Sequence, residues 1–189
     1  MMKKQVSRRD KVLQTALKMI SEGGFHNSPM SELAERSGVA VGTIYHHFDS
    51  KESLIRALYA SCVERISAAV LLNTESKASP SKRFAAMWLN LHAWYSKNSM
   101  EYSFMRQFES SPFTSGKDQG ADIFSSAVLD VFKEGIKSGK LRKLKPGALA
   151  GLFAGMVSSV VAMETRDGKK MTSRELEELA AMSWAALKK

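Results

Sequence analysis

Between Ser28 and Lys51 the chain sets hydroxyls, imidazoles and an ammonium on a frame of small and branched apolar residues. The spacing is that of a helix-turn-helix built to enter a DNA major groove. Counting Met30 as the first position, Ala34 is fifth, Gly38 ninth and Ile44 fifteenth. A small fifth residue lets the second helix approach closely, a glycine at the ninth can take positive φ in the turn, and a branched residue at the fifteenth locks the pair together. Leu33 and Val39 complete that core, and Tyr45, Phe48 and Lys51 follow directly. Val41, Gly42, Thr43 and His46 occupy the start and outer face of the third helix, where base edges would be read. With Val and Gly there, reading would rest on contact with thymine methyls and on DNA shape.

Other chemistries find little support. His46 and His47 are adjacent, but neighbouring side chains on a helix diverge by roughly 100°, so one ion cannot easily take both. No cysteine or carboxylate cluster completes a ligand set, so no metal and no cofactor is expected. Cys62 sits on an apolar helical stripe and reads as a small buried hydrophobe. A glycine-rich phosphate loop, paired catalytic carboxylates and a nucleophile elbow are all missing, so the chain is not expected to be an enzyme.

The elements that must position the motif are helices, about nine of them, with no convincing strand pattern. Val12, Leu13, Ala16, Leu17 and Ile20 mark a first helix from about Val6 to Glu22, closed by Gly23 and Gly24. Ser28 is expected to cap the second helix with Pro29 at its first position. That helix runs to about Arg36, and the third runs from about Val41 to His47. Asp49 to Glu52 opens a fourth helix, whose Leu54, Ile55, Leu58, Tyr59, Cys62 and Ile66 form one apolar stripe. Asn73 to Ser81 reads as a connector and Ser110 to Gly120 as a loop. Thr172 with Glu175 is a capping-box signature for the last helix. The expected organisation is an all-α chain, with a helix-turn-helix head over residues 1–50 and a helical body over 51–189.

Charge is consistent with an anionic partner without locating it. The formal net charge is +9. Residues 1–60 hold nine Lys or Arg against six Asp or Glu, so most of the excess lies beyond them. Lys3, Lys4, Arg8, Arg9 and Lys11 form either a basic arm near phosphates or a solvated tail. The opening residues lack the apolar run of a signal peptide, and a lone cysteine suits a reducing cytoplasm. Gly147 to Met163 carries no charge, at the lower limit of a membrane-spanning length of roughly 17–25 residues. Its richness in Gly, Ala and Ser favours a helix buried between protein helices, so no membrane partner is expected.

The head resembles the tetracycline-repressor (TetR) family of bacterial regulators over about fifty residues, Val12 to Tyr59. The resemblance rests on Gly24-Phe25, Leu33-Ala34, Gly38-Val39, Gly42-Thr43-Ile44-Tyr45, His47-Phe48 and Ser50-Lys51-Glu52-Ser53-Leu54. It departs at Ala40, where the family often has Ser; losing that cap costs the recognition helix about 0.5–2 kcal/mol. The resemblance implies that Thr43, Tyr45 and Lys51 touch phosphates, with Ser28 and His47 as helpers, and helix N-termini favour anions. Tyr45 packed under the head is the structural alternative.

In the body, Trp88, His92, Tyr95, Phe104 and Phe108 place large rings on helical faces and are expected to wall a pocket for a flat or greasy effector. His92 and Glu109 would add polarity, although a solvated Glu109 and a purely structural role for the rings are the alternatives. The Gly147–Met163 and Thr172–Lys188 helices are expected to pair with their symmetry mates in a homodimer. The resulting expectation is a cytoplasmic homodimeric regulator that binds a palindromic double-stranded operator. It would be a repressor released by a small effector, with an effector-independent regulator or an activator as the alternative.

Overall fold

The computed structural model describes residues 7–74, 78–114 and 124–189. Nine α-helices and one 3-10 turn, Pro112–Thr114, make up the described secondary structure. The chain divides into two compact units, Met1–Cys62 with Ser99–Ala121, and Val63–Asn98 with Asp122–Lys189. That division differs from a cut at residue 50, because one continuous helix crosses the boundary and a later helix joins the first unit. Lys3 and Lys4, and part of both the connector and the Ser110–Gly120 loop, lie outside the described residues.

In the first unit, α1 (Arg8–Gly23) starts where the Ser7 hydroxyl accepts the Asp10 N–H at 3.0 Å. It ends where Gly24, at φ 76°, returns its own N–H to the Ile20 carbonyl. Val12, Leu13, Ala16, Leu17 and Ile20 are all buried, as their helical period requires. Next come α2 (Met30–Ser37) and α3 (Val41–His47). Ser50 and Ser53 exchange backbone-to-hydroxyl bonds of 3.1 Å, a reciprocal cap that opens α4 (Lys51–Val70). The predicted α4 stripe from Leu54 to Ile66 is buried. A later helix, α6 (Ser99–Glu109), returns to this unit. Its Gln107 amide donates to the Ile20 carbonyl at 3.1 Å, satisfying an acceptor at the C-terminal end of α1.

The second unit is built from the end of α4 with α5 (Pro80–Lys97), α7 (Ser126–Lys137), α8 (Pro146–Asp167) and α9 (Ser173–Leu187). The predicted capping box opens α9: the Thr172 hydroxyl accepts the Glu175 N–H while the Glu175 carboxylate accepts the Thr172 N–H. By length and composition α8 could cross a membrane. Here Leu149, Phe153, Ala154, Val157 and Val161 are buried, and the helix packs against α5, α7 and α9. Its last turn holds a buried carboxylate, Glu164. This group accepts from the Met171 N–H at 2.8 Å, from Lys170 Nζ at 3.1 Å, and faces His92 Nε2 at 3.1 Å.

Candidate nucleic-acid interface and a cavity in the second unit

The turn between α2 and α3 is closed by Gly38 at φ 64°, ψ 25°, a left-handed conformation that favours glycine. The Val39 N–H reaches back to the Ala34 carbonyl at 3.2 Å, closing the turn around the glycine. Leu33, Val39, Ile44 and Phe48 are buried, Ile44 completely. Burying Ile44 fixes the rotation of α3 and sets Val41, Gly42, Tyr45 and His46 outward. Val41 is 40% exposed and Tyr45 46%, which removes the packed alternative for the tyrosine. A Cβ added at Gly42 would meet nothing within 4 Å, so the backbone at the start of α3 is open to close approach. Thr43 is half-buried beside it, and its N–H is taken by the Ala40 carbonyl at 2.9 Å. Ala40 offers no side-chain cap to α3, as its residue type requires.

Ser28 requires a correction. It is buried, and its hydroxyl donates to the Gly24 carbonyl at 2.9 Å. Pro29 takes the cap position of α2, with no side-chain cap bond. The serine closes the loop after α1 because Gly24 turns a carbonyl toward it. Lys51, half-buried, donates from Nζ to the Phe25 carbonyl, and burial pulls its pKa below the usual lysine value. An ammonium carries three donors, so this bond ties α4 to the loop after α1 and leaves others for a phosphate. His46 and His47 are exposed with ring centroids 5.6 Å apart, and the His47 ring lies edge-on to Phe48. Among the described residues no three His, Cys, Asp or Glu side chains gather as a metal site.

One contact lay beyond sequence reasoning. Arg9 stands 5.4 Å from the centroid of Phe48, placing a guanidinium on the ring that closes α3. The charge run at the N-terminus was visible, but only the fold shows which of its members meets the head.

The five residues expected to wall an effector pocket do not share a unit. Phe104 and Phe108 belong to the first, where Phe104 meets the edge of Phe25 at 6.0 Å and Phe108 stacks on Tyr59 at 4.0 Å. Trp88, His92 and Tyr95 belong to the second, where Trp88 and His92 stack with planes 4° apart. All five are buried, and Glu109 is exposed. A cavity of about 240 Å³ in the second unit is lined by other residues: Phe84 and Met87 of α5, Phe132 of α7, Leu141 and Trp184. Arg83 and Glu134 stand on its wall, 3.4 Å apart. The sequence carries one signal for it, since Phe84 and Met87 recur at helical spacing with Trp88, Leu91 and Tyr95 on α5.

Comparison with known proteins agrees with this architecture. The family model for bacterial regulatory proteins, tetR family, matches residues 12–58, and the tetracyclin repressor-like C-terminal domain matches residues 80–188. The chain is 40% identical over 57 residues to the HTH-type transcriptional regulator UidR of Escherichia coli, covering 30% of this chain and 29% of that relative. The match to this curated relative therefore spans under a third of its length. A TetR-family regulator structure from Vibrio parahaemolyticus superposes with TM-score 0.78 at 26% identity, over 97% of this chain and 99% of that one. FadR from Bacillus subtilis, crystallised with stearoyl-CoA, shares the fold at TM-score 0.71 and 18% identity, over 93% and 95% of the two chains.

Proposed function

Because the chain belongs to the TetR family of bacterial transcriptional regulators, we propose that it is a cytoplasmic homodimeric repressor that a small effector releases from a near-palindromic operator. The observation that carries the reading is the outward face of α3. Val41, Gly42, Tyr45 and His46 are exposed while Ile44 is fully buried, so the helix offers one face to a groove and is held by the other. In this reading Tyr45, Thr43, Lys51 and His47 hold phosphates, and Val41, Gly42 and His46 meet base edges.

The dimer is proposed on the solvent side of α8 and α9. Leu152 is 52% exposed and Met182 67%, and a Cβ at Gly151 or Gly155 would meet nothing within 4 Å. Small residues let a symmetry-related helix approach closely, and an isologous contact sets two heads on a two-fold axis to meet two half-sites. Effector release is supported by the cavity in the second unit and by the stearoyl-CoA bound to FadR. The ligand would shift the heads only as far as its affinities for the two states differ.

Selection of duplexes from a random pool, followed by fluorescence anisotropy on the selected site, tests the reading. The wild-type chain should select a near-palindrome. Tyr45→Phe should weaken selected and random duplexes alike, by roughly three- to tenfold for one lost phosphate bond of about 1 kcal/mol. His46→Ala should instead change the preferred sequence. Selection of no site, or a His46→Ala loss equal on operator and random DNA, would refute the assignment of α3.

A further inference from the structure

The cavity wall combines apolar residues with one cation whose bonding is incomplete. Phe84, Met87, Phe132, Leu141 and Trp184 supply the apolar part. Arg83 supplies the cation: among the described residues its Nε is buried without a hydrogen-bond partner. Its Nη1 meets Glu134 at 3.4 Å, and that carboxylate is 73% exposed. An exposed pair of this kind is weak, whereas a buried donor left unmatched costs free energy. Arg83 therefore retains most of its capacity for a planar oxyanion.

The surroundings favour the same sign. The segment from Lys137, the last residue of α7, to Lys145 carries five Lys or Arg and no carboxylate. Leu141 lies in the middle of that run and is itself buried in the cavity wall. An isolated pairing of Leu141 with Lys188, and the Lys189 N–H on the Lys140 carbonyl at 3.2 Å, bring the two C-terminal lysines to the same ridge. All seven side chains are exposed. A ridge of one sign raises the local concentration of anions beside the cavity.

We propose that this cavity binds an amphipathic carboxylate, with the apolar body against Phe84, Phe132 and Trp184 and the carboxylate on Arg83. The carboxylate engages the guanidinium in place of Glu134, in the two-point geometry that Arg and carboxylates adopt. At about 30 Å³ per water-sized group, the cavity volume admits roughly eight heavy atoms, a medium-length acyl chain or one aromatic ring. Glu134 opposes the ligand and must yield its contact with Arg83. The proposal deepens the effector reading by naming the ligand class, and rests on it only for the consequence at DNA.

Titration calorimetry of the full chain without DNA, using octanoate, octanol and octylamine, tests the site. Octanoate should bind, octanol should bind at least about tenfold more weakly, and octylamine should not bind. Arg83→Gln should lower octanoate affinity about tenfold or more and leave octanol unchanged. Arg83→Lys should recover part of the loss, which a misfolded Arg83→Gln protein could not explain. Glu134→Gln should tighten octanoate. No octanoate binding, unchanged binding by Arg83→Gln, or a preference for octylamine would overturn the proposal. Operator release is read separately by anisotropy. Octanoate bound in this pattern without release supports the site and refutes the effector reading, whereas release by a compound indifferent to Arg83→Gln and bound in place of octanoate overturns the site alone.

Discussion

Replacing Glu164 with Gln should destabilise the second unit by about 2–3 kcal/mol at pH 7. The carboxylate is fully buried and faces three donors: the Met171 N–H at 2.8 Å, Lys170 Nζ at 3.1 Å and His92 Nε2 at 3.1 Å. Lys170 is largely exposed, so its share is about 0–1 kcal/mol. His92 is buried, and a hydrogen bond to a charged group there is worth about 1.5–3 kcal/mol. The Gln amide oxygen can still accept from Met171, so that bond survives. Its NH2 group must face the remaining donors. Urea unfolding followed by circular dichroism reads the loss as a midpoint shift of about 1 M, for a slope of about 2 kcal/mol/M. A double-mutant cycle with His92→Phe should show coupling of about 1 kcal/mol or more. The loss also has a pH signature. Burial alone raises the Glu164 pKa, but the Met171 and Lys170 hydrogen bonds and the charge and hydrogen bond of His92 outweigh it and hold the group below the usual carboxylate value. A depressed folded pKa contributes stability that is present above the unfolded value of about 4.3 and lost as pH falls through the folded one. The gap between wild type and Glu164→Gln should therefore narrow below about pH 4.3. A loss under about 0.5 kcal/mol at pH 7, or no coupling to His92, would refute the account of this cluster.

Gly38→Val places a β-branched residue at φ 64° and should cost about 1–2 kcal/mol, lowering both the thermal midpoint and operator binding; an unchanged melt would mean the turn does not require that conformation. Gly155→Arg fills open space on one chain and should fold normally, yet give monomers by light scattering and weak operator binding. A wild-type monomer at micromolar concentration would remove the dimer proposal. Lys51→Gln should lower the slope of log affinity against log salt by about 0.9, and an unchanged slope would confine Lys51 to its bond with Phe25.

Much of the head was legible in the sequence because its determinants are local. Ala34, Gly38 and Ile44 lie within fifteen residues, and the turn they specify is closed by short-range bonds such as Val39 to Ala34. The same holds for the Thr172–Glu175 cap and the α4 stripe, where helical period alone says which side is apolar. Ser28 was less legible. Whether a serine caps the helix ahead or bonds the loop behind depends on where the Gly24 carbonyl points, and the backbone of that loop sets this.

The body marks the limit of such reading. Period identifies rings on one face of a helix, but not whether the opposing surface leaves space or fills it. Trp88 stacks on His92 and Phe108 on Tyr59, Phe104 lies tilted against Phe108, and these rings divide between two units. The cavity instead opens where Phe84, Phe132, Leu141 and Trp184 meet, residues up to a hundred positions apart whose neighbours are decided by packing. The net charge of +9 and the run from Lys137 to Lys145 are countable from the sequence, yet Lys188 and Lys189 join that run only because Leu141 pairs with Lys188. The sequence by itself determined the helices, the turn and the outward face of α3, because each follows from spacing along one segment. Only the tertiary structure decided which buried rings are core, where the space lies and which charges border it, because those depend on distances between segments that the chain leaves free until it packs.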